Sequence, residues 1–575
     1  MASIYDKSSL VLIPSGTKTG KVYSQKPVSG DGDFTFTRSS AATRVNADGN
    51  IEKETQNLIL QSNQFDTTWN PQSGITLTAN QAGYDGTNDA WKFEKNASSY
   101  RNIAISISVS GVYTTSLYAK AGTLNLLTIR DGSNQYARFY LNTGTYTLSN
   151  SPVSGAMVDV GNGWYRCSVT MTTSNPTIQI YPDWNQTTAG YIYIQDAQIE
   201  QGLVARDYIE TTTTAVEGGI TDNVPRLDYT DSSCPALLLE PQRTNLVPIS
   251  EGVPEDTSAV TLTENYGTSP EGVQNSLKVQ KNGVNANDRI YPIYNYNAVL
   301  VSGRDYAVSA FVKNIDVDGI TTIGCRLGSG GTLFRLGYEW NGSSLTKSAL
   351  YAAGTRTNEI LEDYGNGWWR IGFSFEADNT EGNIELDIDR DNGSDTTSIE
   401  TWGWQLESAT GDASYATSYI PTYGSSVTRT HEGTFAIGAM QSKGLVSGPF
   451  SFMIDFKDIA RGAASGNFIY CYTSTGGTMF YVYAGSIGVH TPTGEQYLTF
   501  PEADGKFALV YDGTNVKFFK NGAKYASTYI ASTRWADMDD LRLYLSGSTA
   551  KINYNETLFF NTALTDQEAI DLTTI

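Results

Sequence analysis

The chain has 575 residues, 60 acidic and 39 basic, with a formal net charge of −21. That charge excludes binding nucleic acid through its phosphates, which needs a basic face, and disfavours anionic membranes. The length exceeds one core and suggests about four units at roughly 150 residues each, and no apolar window approaches the ~18 residues of a membrane-spanning helix.

Charged residues make up only 17% of the chain, whereas Gly (55) and Tyr (36) are abundant. Aromatic and β-branched residues fit pleated surfaces and Gly, Asn and Asp supply turns, so an all-β protein is expected. The start, Met1-Ala2-Ser3-Ile4-Tyr5-Asp6, lacks a basic head and a long apolar run. The expectation is synthesis in a cytoplasm without export by the secretory route. Cys167, Cys234, Cys325 and Cys471 are widely scattered and are expected to be reduced thiols.

Residues 1–56 are turn-rich. Ser9 to Pro14 reads as an apolar strand, Phe34-Thr35-Phe36-Thr37-Arg38 alternates with period two, and Asn46-Ala47-Asp48-Gly49-Asn50 reads as a turn. So short a segment buries little surface alone, so it is read as an anchor leaning on another chain or on the next domain.

Residues 57–212 form a first module of short alternating runs, such as Trp91 to Glu94, Tyr113 to Lys120 and Leu124 to Arg130. Strands at this spacing indicate a jelly roll or sandwich. Residues 213–244 form a Pro-punctuated extended linker. Residues 245–428 repeat the first module. Gly161-Asn162-Gly163-Trp164-Tyr165-Arg166 returns as Gly365-Asn366-Gly367-Trp368-Trp369-Arg370, and Gln198-Ile199-Glu200 returns as Gln405-Leu406-Glu407. Asn57 matches Asn245, Arg101 matches Arg289, and Tyr113 to Lys120 matches Tyr306 to Lys313. The offset grows from about 188 to about 211, as loop insertions produce, so differences between the copies are expected in loops.

Residues 429–575 are a third domain of another type. Phe507 to Lys520 is a hairpin around Asp512-Gly513, followed by an Asn521-Gly522 turn. Thr565 with Glu568 three residues later marks the capping box of a helix.

These fragments carry resemblances. Tyr511-Asp512-Gly513-Thr514-Asn515 with Lys520-Asn521-Gly522, and the run Leu558 to Thr565, resemble concanavalin A-like (laminin G-type) lectin sandwiches. The duplicated motifs resemble jelly-roll carbohydrate-binding modules. Phe34 to Gly49 and Pro225 to Leu246 resemble a family of bacteriophage virion proteins, in which the two fragments often lie close together; here the first module stands between them as an insertion. The resemblance implies a virion structural protein, a head or tail fibre or similar appendage. It would dock on other virion proteins through residues 1–56, adhere to host-surface glycans and assemble as a homotrimer. A decoration protein that binds no sugar is the first alternative and a polysaccharide depolymerase the second.

Nothing marks a catalytic centre. His431 and His490 share no metal or triad spacing, and none of the 60 acids is singled out as half of a glycosidase pair, so no enzyme is expected. Asp387, Asp389 and Asp391 resemble the start of a calcium loop, but Asn392 and Ser398 stand where an EF-hand needs Gly and Glu. Alternation with Ile384, Leu386 and Ile388 instead suggests a strand with a wet acidic face, with a structural calcium as the other reading and no further cofactor. Trp164, Trp368 and Trp369 recur in both copies and are read as scaffold; Trp402, Trp404 and Leu406 are read as sharing one core-facing side of a strand. Tyr181, Asp183, Trp184 and Asn185 lie in a loop without an aromatic counterpart in the second copy. Rings that stack on sugar C–H faces, beside amide and carboxylate groups for hydroxyls, make them glycan-binding candidates, with Trp69 a further one.

Overall fold

A computed structural model describes residues 4–96, 100–107, 110–174, 177–184, 188–283, 288–329, 331–390, 395–408, 414–461, 469–483, 486–499, 504–545 and 550–575. The protein is all-β: nearly every regular element is a strand, and the strands build three two-sheet sandwiches. The helix Asp566–Thr573 starts at the Thr565–Glu568 capping box read from the sequence.

The last sandwich is assembled from three separate stretches of chain. In one sheet the long strand Ala550–Phe560 is flanked by Phe450–Arg461 and by two strands from far upstream, Leu10–Leu12 and Ala236–Leu239. In the other, Phe34–Phe36 pairs with Thr434–Ile437. Residues 4–56 therefore do not stand apart, and the domain they lean on is not the next one in sequence but the last. Leu10, Leu12, Val22, Phe34 and Phe36 lie in one core with Leu237, Leu239, Phe452 and Phe507. The alternation of Phe34-Thr35-Phe36 has a concrete cause, since Phe34 points inward and stacks on Phe435 with ring centroids 4.7 Å apart. We call this discontinuous unit the frame.

Both jelly rolls are insertions into the frame, each entered and left through a two-stranded antiparallel ribbon. Thr55–Asn57 pairs with Val216–Gly218 around the first, and Arg243–Asn245 pairs with Val427–Arg429 around the second. Their sheets share one strand order. The first copy runs Ser154–Gly161, Trp164–Ser174, Ser110–Ala121, Gly190–Gln201, Ala90–Lys95, Ile75–Gln81. The second runs Thr357–Asp363, Trp368–Glu376, Asp305–Asn314, Ser398–Ser408, Leu277–Lys281, Val260–Thr263.

The shared motifs are structural joints. Asn57 donates to the carbonyls of Ala197 and Ile209, and Asn245 does the same to Trp404 and Ile420. Asn162-Gly163 and Asn366-Gly367 have φ of 54° and 78°, and 53° and 81°, the left-handed pair that a tight hairpin needs. Trp164 and Trp368 then start their strands fully buried. Arg166 and Arg370 each donate to a carbonyl of the segment that follows Gln-x-Glu, at Arg206 and Thr417.

The register revises two points. Ile103 faces Ile180 as Ile290 faces Leu386, so Arg289 is equivalent to Asn102 and not to Arg101. Trp402 and Trp404 also do not share a side. Gly403 takes φ +63° at a register shift, so Trp402 packs on Phe311 and Tyr419 while Trp404 enters the interior with Leu406.

The two inserts touch. Val112 N donates to Tyr423 O at 2.8 Å. At the adjacent Gly111, φ +91°, a Cβ would sit 1.5 Å from that same carbonyl oxygen, so only glycine fits. Buried ion pairs continue the seam: Lys53 to Glu251 at 2.7 Å and to Glu271 at 2.8 Å, with Arg206 joining Glu271 at 2.5 Å.

Candidate functional site

In the first insert, the second sheet turns Ile103, Leu127, Ile129, Phe139, Ile178 and Ile180 into the core. Period-two alternation then sends their neighbours outward. By register, Gln179 lies opposite Arg130 and Arg130 opposite Tyr136, while Tyr181 lies opposite Thr128. Trp184 lies just past the end of the Thr177–Tyr181 strand. Its ring meets Tyr181 edge-on at 4.5 Å, Tyr100 at 5.3 Å and Tyr136 at 5.9 Å, and the Arg130 guanidinium carbon lies 5.4 Å from its centroid. Tyr100 is exposed and Trp184 half-buried, so the cluster opens to solvent.

The polar groups around these rings are fixed in place. The Gln179 side-chain Oε1 accepts from Arg130 and, at 3.1 Å, from the Tyr181 hydroxyl. Arg130 Nε donates to Asn134 at 2.9 Å. Arg138 lies 4.9 Å over the Tyr136 ring. Burial pushes the Tyr181 hydroxyl up from its ordinary value, so it stays a neutral donor. Flat rings with amide and guanidinium donors beside them suit stacking on sugar C–H faces and hydrogen bonding to hydroxyls.

The residues singled out from sequence divide. Trp184 belongs to this cluster; Tyr181 supports it from beneath, only 4% exposed, and presents no open face. Asp183 is 1% exposed and lies 3.6 Å from Lys95 Nζ, so its carboxylate faces inward. Asn185 lies outside the described residues. Trp69 is 2% exposed and packs on Phe65 at 5.3 Å, inside the core and out of reach of a sugar. Tyr100, Tyr136, Arg130 and Gln179 were missed. The outward alternation Tyr136-x-Arg138-x-Tyr140 was the available signal, but the strands that meet there are remote in sequence.

The equivalent face of the second insert has other chemistry. Tyr181, Gln179 and Tyr136 are replaced in register by Asp387, Glu385 and Arg335. The acidic face expected to be wet is covered: Glu385 and Asp387 are each 1% exposed and Asp389 3%. Arg289 contacts Glu385 and Asp387, both at 2.8 Å, Arg335 pairs with Glu385, and Arg390 reaches Asp387 at 2.8 Å. Burial alone would raise the Glu385 carboxyl, but Arg289 and Arg335 outweigh it and hold it below its ordinary range. For Asp389, burial dominates and pushes the carboxyl up to about 6, with Lys281 opposing and Asp395 adding to the rise. Asp391 lies outside the described residues. Calcium needs open, charged oxygens, and the oxygens of Asp387 already face three guanidinium groups. Among the described residues no cluster of His, Cys, Asp and Glu could hold a metal ion.

The frame carries its own aromatic face. Arg542, Tyr470, Tyr481, Gly488 and Tyr497 follow one another in register across four strand pairs. Tyr470 stacks on Tyr472 at 5.1 Å and on Tyr481 at 5.5 Å. Tyr497, 62% exposed, shares Glu495 with Tyr481. Gly488 makes room, because a Cβ there would lie 2.3 Å from the Tyr481 ring. Single strand residues such as Tyr481 look unremarkable in sequence; the row exists only across strands. A separate cleft of about 450 Å³ lies where the frame meets the second insert, lined in part by Asp228, Tyr229, Tyr364 and Lys457.

No protein-family model matches the sequence and no curated protein matches it. Among solved structures, the N-terminal CBM22-1–CBM22-2 tandem domain of Paenibacillus barcinonensis Xyn10C aligns at 11% identity, covering 61% of this chain and 98% of that one, with a TM-score of 0.20. Trypanosoma rangeli sialidase aligns at 10% identity, covering 93% of this chain and 97% of that one, also with a TM-score of 0.20. At that TM-score neither superposition bears on function.

Proposed function

We propose that this chain is a non-catalytic glycan-binding protein, an appendage of a phage virion that adheres to host-surface sugars. The carrying observation is the open aromatic cluster of Trp184, Tyr136 and Tyr100, seated on the buried Tyr181, with Arg130 and Gln179 on the outer sheet of the first insert. The tyrosine row of the frame adds a second stacking surface. Weak shallow sites gain strength when several are presented together, which a homotrimer of three sandwiches per chain provides. Docking to other virion proteins uses the outward residues of the N-terminal segment, where Tyr23 and Val28 are exposed, because its apolar strands are spent inside the frame. The protein is made in the host cytoplasm and acts in the virion at the cell surface.

The test is a glycan array probed with the purified chain and with Trp184→Ala, each with and without calcium. Binding by the wild type that falls in the variant supports the proposal. No binding to any glycan by the wild type removes it.

A further inference from the structure

We propose that the second insert binds a carboxylate-bearing sugar, such as a uronic acid residue of an acidic polysaccharide, in an arginine-lined cleft on its outer sheet. This rests on the glycan-binding reading and assigns the two copies different ligands.

The cleft measures about 490 Å³ and is lined chiefly by Ser258, Arg289, Tyr291, Arg326, Arg335 and Arg390. No carboxylate lines it. Glu385 and Asp387 lie beneath the arginines and hold them through the contacts described above, with Thr322 donating to Asp387 at 2.7 Å. The cleft turns four guanidinium groups toward solvent on a chain of net charge −21.

One of the four has donors to spare. Arg326 lies opposite Asn383 in register, half-buried, and its side chain makes no hydrogen bond or ion pair among the described residues, acting on Glu385 through its charge alone. Arg335, 4% exposed, is engaged from beneath, paired with Glu385 and with its Nε 3.8 Å from Asp387. A guanidinium fork matches a carboxylate in two parallel hydrogen bonds. Tyr291, with Arg289 5.9 Å from its ring, lines the cleft and gives the sugar ring a face to lie on. The position is the same sheet face that carries the Trp184 cluster in the first copy. Replacement of Tyr136 by Arg335 and of Asn102 by Arg289 turns a mainly aromatic surface into an arginine-lined one.

The experiment measures binding of the intact chain to oligogalacturonate, to the matching neutral galactose oligomer and to inorganic sulfate, for wild type, Arg326→Gln and Trp184→Ala. The expected result is oligogalacturonate binding weakened about tenfold in Arg326→Gln, as loss of one charged hydrogen-bonding group predicts. Its melting temperature should be unchanged, and Trp184→Ala should bind oligogalacturonate as the wild type does. Equal oligogalacturonate binding by Arg326→Gln and wild type overturns the inference. So does sulfate competing as well as the oligosaccharide, which would mean an anion site without sugar recognition. If neutral glycans bind through Trp184 while oligogalacturonate does not, this inference alone falls; if no glycan of either kind binds, the proposed function falls with it.

Discussion

Arg226 and Glu432, 206 positions apart in sequence, lie side by side with no solvent exposure, Nη2 to Oε1 at 2.5 Å and Nε to Oε1 at 3.0 Å. Arg226 also pairs with Glu240 at 2.7 Å, Arg429 joins Glu240 at 2.8 Å, and Arg38 lies 3.6 Å from Glu432. The pieces of the frame are thus tied where the inserts leave it.

Arg226→Met leaves Glu432 buried without its closest cation. Removing one partner of such a pair costs about 3–5 kcal/mol. The frame's own unfolding transition should shift down by that amount in a denaturant titration, while the inserts' transitions move little. An unchanged frame transition would show the network to be dispensable.

Removing residues 1–37 should leave the frame unable to fold. It strips Leu10–Leu12 from Ala550–Phe560 and takes Leu10, Leu12, Val22, Phe34 and Phe36 out of the core. Each such side chain contributes about 1.5–3 kcal/mol by burial, and together they rival the ~5–15 kcal/mol stability of a typical domain. Limited proteolysis should degrade residues 429–575 in the truncated chain; a resistant fragment there would contradict the shared core.

The two tryptophans proposed from sequence should separate cleanly. Trp69→Ala empties a core position and should cost the first insert about 3–5 kcal/mol. Trp184→Ala should cost only about 1 kcal/mol but weaken neutral-glycan binding about tenfold. Thermal melts beside binding isotherms check both, and the reverse pattern would relocate the site.

The first insert should be more stable in mild acid. Burial pushes the Asp196 carboxyl up to about 7, with Asp89 and Asp85 adding to the rise against a hydrogen bond from Tyr84. The folded state therefore holds the proton more tightly than the unfolded chain, where the value is about 3.9. The stability this group contributes is full below pH ~4 and is lost as pH rises to about 7. Asp196→Asn keeps the acceptor for Tyr84 and suits the left-handed φ of 53°. The variant should exceed the wild type by about 1–3 kcal/mol at pH ~8 and match it at pH ~4. Equal stabilities at both values would rule out a buried, proton-holding Asp196.

Calcium should not matter to the second insert. Arg289, Arg335 and Arg390 already occupy the side of Asp387 that a cation would need. Its melting temperature should be the same in excess calcium and in chelator; a clear rise with calcium would restore the metal reading.

Much of this fold was legible because it is local. The Asn-Gly turns, the Asp512-Gly513 hairpin and the Thr565–Glu568 cap depend on a few adjacent residues, and the duplication showed in the motifs that hold each jelly roll's joints. What stayed hidden depends on pairing across distance. Alternation indicates which residues share a face but not which strands lie beside them, so Trp184's neighbours Tyr100 and Tyr136 were invisible, as were the arginines that cover Asp387. The left-handed Gly403 reverses the alternation at one residue and separates Trp402 from Trp404. The copies were expected to differ in loops. Instead, much of the difference lies on matched strands, where Tyr136 and Tyr181 give way to Arg335 and Asp387.

The paired ribbons at the base of each jelly roll have a further consequence. The chain departs from the frame and comes back to it on adjacent strands, about 4.8 Å apart. Either jelly roll can thus be excised as a cassette and the cut ends rejoined by a short turn, without rethreading the frame. The same geometry lets a duplicated cassette be spliced in at a second position and diverge there, so a new surface can arise on one jelly roll while the frame's pairing stays as it is.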